Sequence, residues 1–298
     1  MINVIGHKKI FLYASGILVL LSITGIVFFG FRPGIDFVGG TLWELKFEKQ
    51  ITRGELAEFF QSKLGLTEAI IIEESNAAFL IRSKEMSEAD REQYWNQINA
   101  QLGAAEELRF ETIGAAVGRE LRGKAITAFI LVLLGISLYI AFAFRKVSRP
   151  VSSWKYGIIT LITLFHDALI PTGLIALLGY LLNVEVDTNF IVAILVVMGF
   201  SVHDTIVVFD RIRENLRVIG LLKTDFDALV NTSVNQTMAR SINTSLTLIL
   251  VLIAVYFLGA PTLKYFVLTI AVGTIVGTYS SIFVASPLLT IWRKRGSS

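Results

Sequence analysis

Six long apolar stretches constrain this chain more than any other feature, because about 20 consecutive apolar residues are what a helix needs to cross a bilayer. They run at about 10–31, 124–144, 156–181, 189–209, 239–259 and 265–291. Across the chain 54% of residues are hydrophobic and 17% are charged; soluble domains hold roughly 45–50% and 25%. Backbone in hydrocarbon must satisfy its own hydrogen bonds, so such stretches fold as helices. The expected fold class is a polytopic α-helical membrane protein with six transmembrane helices. The first stretch follows the basic His7-Lys8-Lys9. It is longer than a signal-peptide core and has no small-residue cleavage site, so it reads as an uncleaved first span. The absence of Cys removes disulfide and thiol chemistry.

Orientation follows from Lys and Arg, which gather in cytoplasmic loops. Lys8 and Lys9 precede the first span. Arg145, Lys146, Arg149 and Lys155 separate the second and third, Arg211, Arg213 and Arg217 follow the fourth, and Arg293, Lys294 and Arg295 follow the sixth. The loops at the other face hold only Glu185, Asp187 and Lys264. Both termini are therefore expected in the cytoplasm and residues 32–122 outside. The net charge of +3 is accounted for by these loops and does not indicate nucleic acid. Three regions result: a tail and first span over 1–31, an external domain over 32–122, and a five-span bundle over 123–298.

The external domain reads as β-α-β-β-α-β, the split-βαβ, ferredoxin-like order of an α+β domain. Thr41–Phe47 alternates like a strand. Thr52 and Glu55 form a capping box before a short helix. Ala69–Glu73 and Ala77–Arg82 are strand-like runs broken at Glu74-Ser75-Asn76, Ser87 opens a second helix ending at Gly103, and Glu107–Thr112 is the last strand. The domain has no His, no Cys and no Gly-rich phosphate loop. It reads as a docking or substrate-contact module, and the chain as a non-enzyme needing no cofactor.

Within the bundle, two His-Asp pairs interrupt apolar sequence: His166-Asp167 in the third stretch and His203-Asp204 in the fourth. An Asp at the centre of a span costs about 2.5–3.5 kcal/mol on insertion scales, so such residues usually face the bundle interior and mark an ion or proton path. Asp204 lies about six residues, or roughly 9 Å, from the cytoplasmic end of its span. Arg240 begins the fifth span at overlapping depth. An Asp204–Arg240 pair would give a contact between helices that depends on protonation. Position alone leaves two other readings open: a static ion pair, or an Arg240 that snorkels to the interface. His203 is suited to proton relay because imidazole titrates near neutral pH. His166-Asp167 lies near the midplane, followed by Pro171 and Gly173. No Cys or Glu joins the pairs, so no metal site is expected.

Two further patterns stand out. Phe226, Leu229, Val230, Val234 and Met238 fall at helical spacing, which fits an amphipathic helix at the cytoplasmic interface within 210–238, feeding the fifth span; a solvated linker is the other reading. Gly273, Gly277, Ser281 and Ala285 make a small-residue stripe on the sixth span, suited to close helix packing within the bundle or against a partner.

Several strings, in order over nearly the whole chain, resemble the SecF family, the smaller partners in bacterial SecD–SecF complexes. Gly34-Ile35-Asp36-Phe37-Val38-Gly39-Gly40-Thr41 resembles the box after that family's first span. Phe165-His166-Asp167, Gly199–Asn215, Asn235–Ser245 and Gly277–Pro287 resemble its third to sixth spans. Where the family pattern often has Asn-Asp, this chain has His203-Asp204. The resemblance implies half of a twelve-span bundle related to RND exporters, with Asp204 and Arg240 in proton-coupling machinery. It also implies a bacterial inner-membrane location. The partners it implies are SecD, the SecYEG channel with its SecA motor, and the translocating preprotein. The function implied is use of the proton motive force late in export. Two other classes remain open: a subunit of an RND-type small-molecule exporter, for which 32–122 looks small, and a structural assembly factor without proton coupling.

Overall fold

The computed structural model describes residues 2–73, 77–145, 151–219 and 225–292. It divides into two compact units, Pro33–Ile126 and a helical unit of Met1–Arg32 with Thr127–Ser298.

The smaller unit is α+β. A four-residue helix α2 (Ile35–Val38) leads into β1 (Gly40–Phe47), α3 (Arg53–Ser62), β2 (Ile70–Glu73), β3 (Ala78–Ser83), α4 (Glu88–Gln101) and β4 (Ala105–Ile113), numbering the first membrane helix α1 (Lys8–Phe29). The sheet order is β2-β3-β1-β4 with every pair antiparallel, which is the ferredoxin-like topology. The break at 74–76 lies outside the described residues. Local chemistry sets the helix starts. Thr52 accepts from the Glu55 amide while Glu55 reaches back to the Thr52 amide, satisfying donors a helix end leaves free. Ser87 and Asp90 do the same for α4, a box the sequence reading did not single out because Asp, not Glu, holds its third position. Leu56, Phe59 and Phe60 from α3 and Ile98 from α4 close a core over Trp43, Leu45, Phe79 and Ile81.

The Gly34–Thr41 box is where backbone shape is decided. Gly39 and Gly40 have φ of 81° and 125°, a region that L side chains rarely adopt. A Cβ on Gly39 would lie 2.7 Å from Ala115 Cα, and one on Gly40 would lie 2.7 Å from the Ser83 carbonyl oxygen. The glycines let the chain turn from α2 into the sheet while pressed against β3 and the start of α5 (Ala115–Ala143).

The helical unit holds α1, most of α5, α6 (Ser153–Leu182), α7 (Thr188–Ile219), α8 (Phe226–Leu258), α9 (Lys264–Ser280), a π-helical turn (Ser281–Ala285) and α10 (Ser286–Ile291). Among the described residues six helices are long and apolar enough to cross a membrane, the last being the continuous run Lys264–Ile291; the chain is a multi-pass membrane protein. Small residues set the closest approaches. A Cβ on Gly173 would lie 2.6 Å from Ser22 Cβ in α1, and one on Gly157 would lie 2.7 Å from the Ser137 carbonyl in α5. The stripe on α9 packs within the chain: a Cβ on Gly273 would lie 2.2 Å from Val197 Cγ2, and one on Gly277 would lie 2.9 Å from Ser201 Cβ, both on α7.

Helices α7 and α8 extend well past the apolar stretches. No Pro or Gly interrupts Phe226–Leu258, so the amphipathic segment runs straight into the fifth span. Phe226, Leu229, Val230 and Val234 are buried against Phe209, Ile212, Val4 and Ile5 of the same chain. Residues 220–224 lie outside the described residues. The N-terminal segment is tied to this cap by Ile2 N–H to Asn235 Oδ1 (2.8 Å) and Ile5 N–H to Asn231 Oδ1 (3.2 Å). Lys8 Nζ meets Asp227 Oδ2 at 2.7 Å, and Lys155 Nζ donates to the Trp292 carbonyl at 2.7 Å. Two of the basic residues of the orientation argument, Lys8 and Lys155, thus both lie against the end of the sixth span, at Thr290 and Trp292; Lys146, Arg149 and Arg293–Arg295 lie outside the described residues.

Candidate functional site

The two aspartates are buried on adjacent helices, Asp167 on α6 and Asp204 on α7. Their neighbours treat them differently. Asp167 is hydrogen-bonded through both oxygens. His166 Nδ1 lies 2.7 Å from Oδ1. Oδ2 accepts from Ser201 Oγ of α7 and from Ser280 Oγ of α9, the latter at 2.6 Å. One carboxylate therefore ties three helices together. The network continues from His166, whose ring stacks near Tyr279 with centroids 6.4 Å apart. Tyr279 Oη donates to the Phe11 carbonyl of α1 and accepts from Ser15, both at 3.2 Å. Pro171 has no N–H, so the Asp167 carbonyl, four residues earlier, receives no helical donor from it.

Asp204 lies one helical turn beyond Ser201. It faces Ser241 of α8 and Thr278 of α9. Yet, among the described residues, neither Asp204 Oδ2 nor Ser241 Oγ has a partner at normal hydrogen-bond distance and angle, although both the Ser241 and Thr278 hydroxyls lie near enough to act on the carboxyl. Thr278 Oγ1 is instead engaged with Ser245 and with the Thr274 carbonyl. A buried polar atom left unpaired costs about 1–3 kcal/mol, and a carboxylate is the group for which gain or loss of a proton changes that cost most. The unpaired group sits where α7, α8 and α9 meet.

The other candidates do not join this cluster. His203 is exposed although Asp204 beside it is buried, because neighbours on a helix point about 100° apart. The same geometry separates exposed Arg240 from buried Ser241. Among the described residues Arg240 makes no ion pair, so the expected Asp204–Arg240 contact is not formed within this chain. Gly34, Asp36, Gly39 and Gly40 belong to the α+β unit, and Gly273 and Gly277 form the wall that lets α9 approach α7. Ser201, Ser241, Thr278 and Ser280 were not singled out from the sequence. Hydroxyls are common in apolar spans, where they bond their own helix. The available signal was spacing: Ser201 precedes Asp204 by three residues, which puts both on one face.

Residues 94–295 match the family described as "Protein export membrane protein SecD/SecF, C-terminal", and residues 24–51 match the "SecD/SecF GG Motif". The chain is 43% identical to the protein translocase subunit SecF of Thermobaculum terrenum, over 99% of this chain and 95% of that one. It is 36% identical to the SecF subunit of Anaerolinea thermophila, over 98% and 94%. Among solved structures it is similar to SecDF, a translocon-associated membrane protein from Thermus thermophilus, with a TM-score of 0.84 and 35% identity over 98% of this chain. A super-membrane-facing form of SecDF matches with a TM-score of 0.69 and 36% identity. In both comparisons the chain spans 38% of the longer SecDF chain.

Proposed function

The chain belongs to the SecD/SecF protein-export membrane protein family, and from that premise we propose that it is a SecF-type accessory subunit of the Sec translocase that spends the proton motive force on late preprotein export. Its partner is a SecD-type chain; related sequences carry both parts in one polypeptide named SecDF. SecYEG, the SecA motor and the preprotein are its further partners. It lies in the bacterial inner membrane with both termini in the cytoplasm and the 32–122 domain outside.

The observation that supports proton coupling best is the unpaired, buried Asp204 Oδ2 at the junction of three helices. Adding or removing a proton there changes which of Ser241 and Thr278 can donate to it, and so how α7, α8 and α9 settle. Moving one charge across 100 mV is worth about 2.3 kcal/mol, enough to shift an equilibrium between two helix arrangements by roughly fiftyfold. Asp167 and His166 belong to the same buried polar layer. Arg240 and His203 face outward at the level of Asp204 and act at the seam with the SecD-type half.

The test is export in inner-membrane vesicles containing this chain and its partner. Asp204→Asn keeps size and hydrogen bonding but cannot exchange the proton. It should abolish stimulation by the proton gradient while early, ATP-driven translocation persists; Arg240→Met should give a similar loss. An Asp204→Asn chain that responds to the gradient like the parent makes the subunit a structural assembly factor instead.

A further inference from the structure

Asp167 and Asp204 are both buried, yet one is held by three side chains and the other has an unpaired oxygen. They share two elements: α7 carries Asp204 and Ser201, and α9 carries Thr278 and Ser280. The Ser280 hydroxyl has one proton and two acceptors in range, Asp167 Oδ2 at 2.6 Å and the Gly277 carbonyl of its own helix at 3.0 Å. Rotating the hydroxyl from one to the other releases α9 from α6 with no hydrogen bond lost by the serine. Ser280 is also the last residue before the π-helical turn Ser281–Ala285. Pro287, just beyond, has no N–H for the Phe283 carbonyl, and π-turns of this kind recur at functional sites. The glycines at 273 and 277 leave α9 a smooth face against α7.

We propose that Asp167 is a positioning residue for the proton-coupled step: it latches Ser201 and Ser280, and the Ser280 hydroxyl turns to the Gly277 carbonyl when a change at Asp204 lets α9 and its π-turn shift. The inference rests on Asp204 as the exchanging group, and it assigns the two carboxylates different tasks. Asp167 keeps one protonation state throughout the cycle. Among the described residues the titratable groups facing it are His166 on its own helix and, across His166, Tyr279 of α9; α7 presents Ser201, α9 presents Ser280, and α1 joins the network at the Tyr279 hydroxyl. Near Asp204, His203 is the neighbouring titratable group, while α8 and α9 present Ser241 and Thr278.

The experiment uses the complete chain with its partner in vesicles. The chain has no Cys, so Phe11→Cys and Phe283→Cys can be joined by a short bifunctional thiol reagent; those rings lie 4.5 Å apart, on α1 and the π-turn. Cross-linking should vary with pH in the parent and become flat in Ser280→Ala, with gradient-driven export reduced about three- to tenfold, the span expected for one interhelical hydrogen bond. Ser280→Thr, which keeps the hydroxyl, should restore both. In infrared difference spectra the titrating carboxyl C=O band should vanish in Asp204→Asn and persist in Asp167→Asn. If Asp167→Asn fails to assemble, Ser201→Ala and Ser280→Ala, which keep the carboxylate, decide alone. Parent-like pH dependence in Ser280→Ala overturns the latch. Loss of a band in Asp167→Asn makes Asp167 an exchanger and also overturns it, while Asp204 keeps its role. Persistence of the full band and of the gradient response in Asp204→Asn overturns proton coupling at Asp204 and the latch with it.

Discussion

In the α+β unit, Glu107 accepts from Trp43 Nε1 at 2.7 Å and from Arg91 at 2.5 Å, while the Arg91 guanidinium lies 5.0 Å from the Phe110 ring centroid. Arg91 first, and then Trp43, holds the Glu107 carboxyl below the usual carboxylate range despite its partial burial. A carboxylate whose folded pKa is depressed stabilises the fold above its unfolded value and loses that contribution as pH falls through the folded one. Glu107→Gln should therefore cost about 1–2 kcal/mol at neutral pH, allowing for solvent screening at a part-exposed pair. The cost should shrink below about pH 4.3, the unfolded glutamate value. Hydrogen exchange of β1 and β4 amides across that range measures it; a penalty independent of pH would assign the effect to packing. Asp167 and Asp204 could be read from the sequence because a charge inside an apolar run is conspicuous. Their hydroxyl partners could not, since a serine in a span looks the same whether it bonds its own helix or a neighbour's carboxylate. Nor could the outward turn of Arg240: depth along two helices was readable, rotation about each was not.

At the scale of elements, glycines separate into two kinds of work. Gly39 and Gly40 meet a backbone demand, so Gly40→Ala should cost about 1–3 kcal/mol through strain and through contact with the Ser83 carbonyl, seen as a lowered melting temperature of the α+β unit. Gly273 and Gly277 meet a packing demand. Gly273→Leu would drive a side chain into Val197, and overpacking of this kind costs about 1–3 kcal/mol. The loss should appear as lower thermal stability in detergent without any partner present, and Val197→Ala should recover part of a Gly273→Ala defect. Unchanged stability in Gly273→Leu would mean that α9 does not rest on α7. Helix existence, capping at Thr52 and the strand order were legible because each has a local signature. The helix lengths were less so. The amphipathic helix legible over Phe226–Met238 is continuous with the fifth span as α8, whereas the polar residues after Phe209, which the hydropathy assigns to a connection, continue α7; Val4 and Ile5, more than 200 residues away in sequence, pack against both.

At the scale of the molecule, orientation and partnership are linked. A Cys at exposed Lys84 should react with an impermeant thiol reagent from outside the cell, and one at exposed Arg217 only after permeabilisation; the reverse pattern would invert the topology. The outer surface of α8 then poses a cost problem. Arg240 is exposed there, with Ile242 47% and Leu246 50% exposed nearby. An arginine facing lipid toward the middle of a span costs about 2.5–3.5 kcal/mol on insertion scales, less near the interface. A covering protein surface that offers a carboxylate or carbonyls removes most of that cost. The SecD-type half supplies such a surface in the proposed complex, consistent with this chain spanning 38% of the SecDF chain it resembles. A photo-crosslinker placed at Ile242 should therefore capture the SecD-type chain, and Arg240→Met should weaken that capture by severalfold. Capture of lipid alone, with or without Arg240, would place this face outside the seam and leave Arg240 as a snorkelling residue with no part in the coupling.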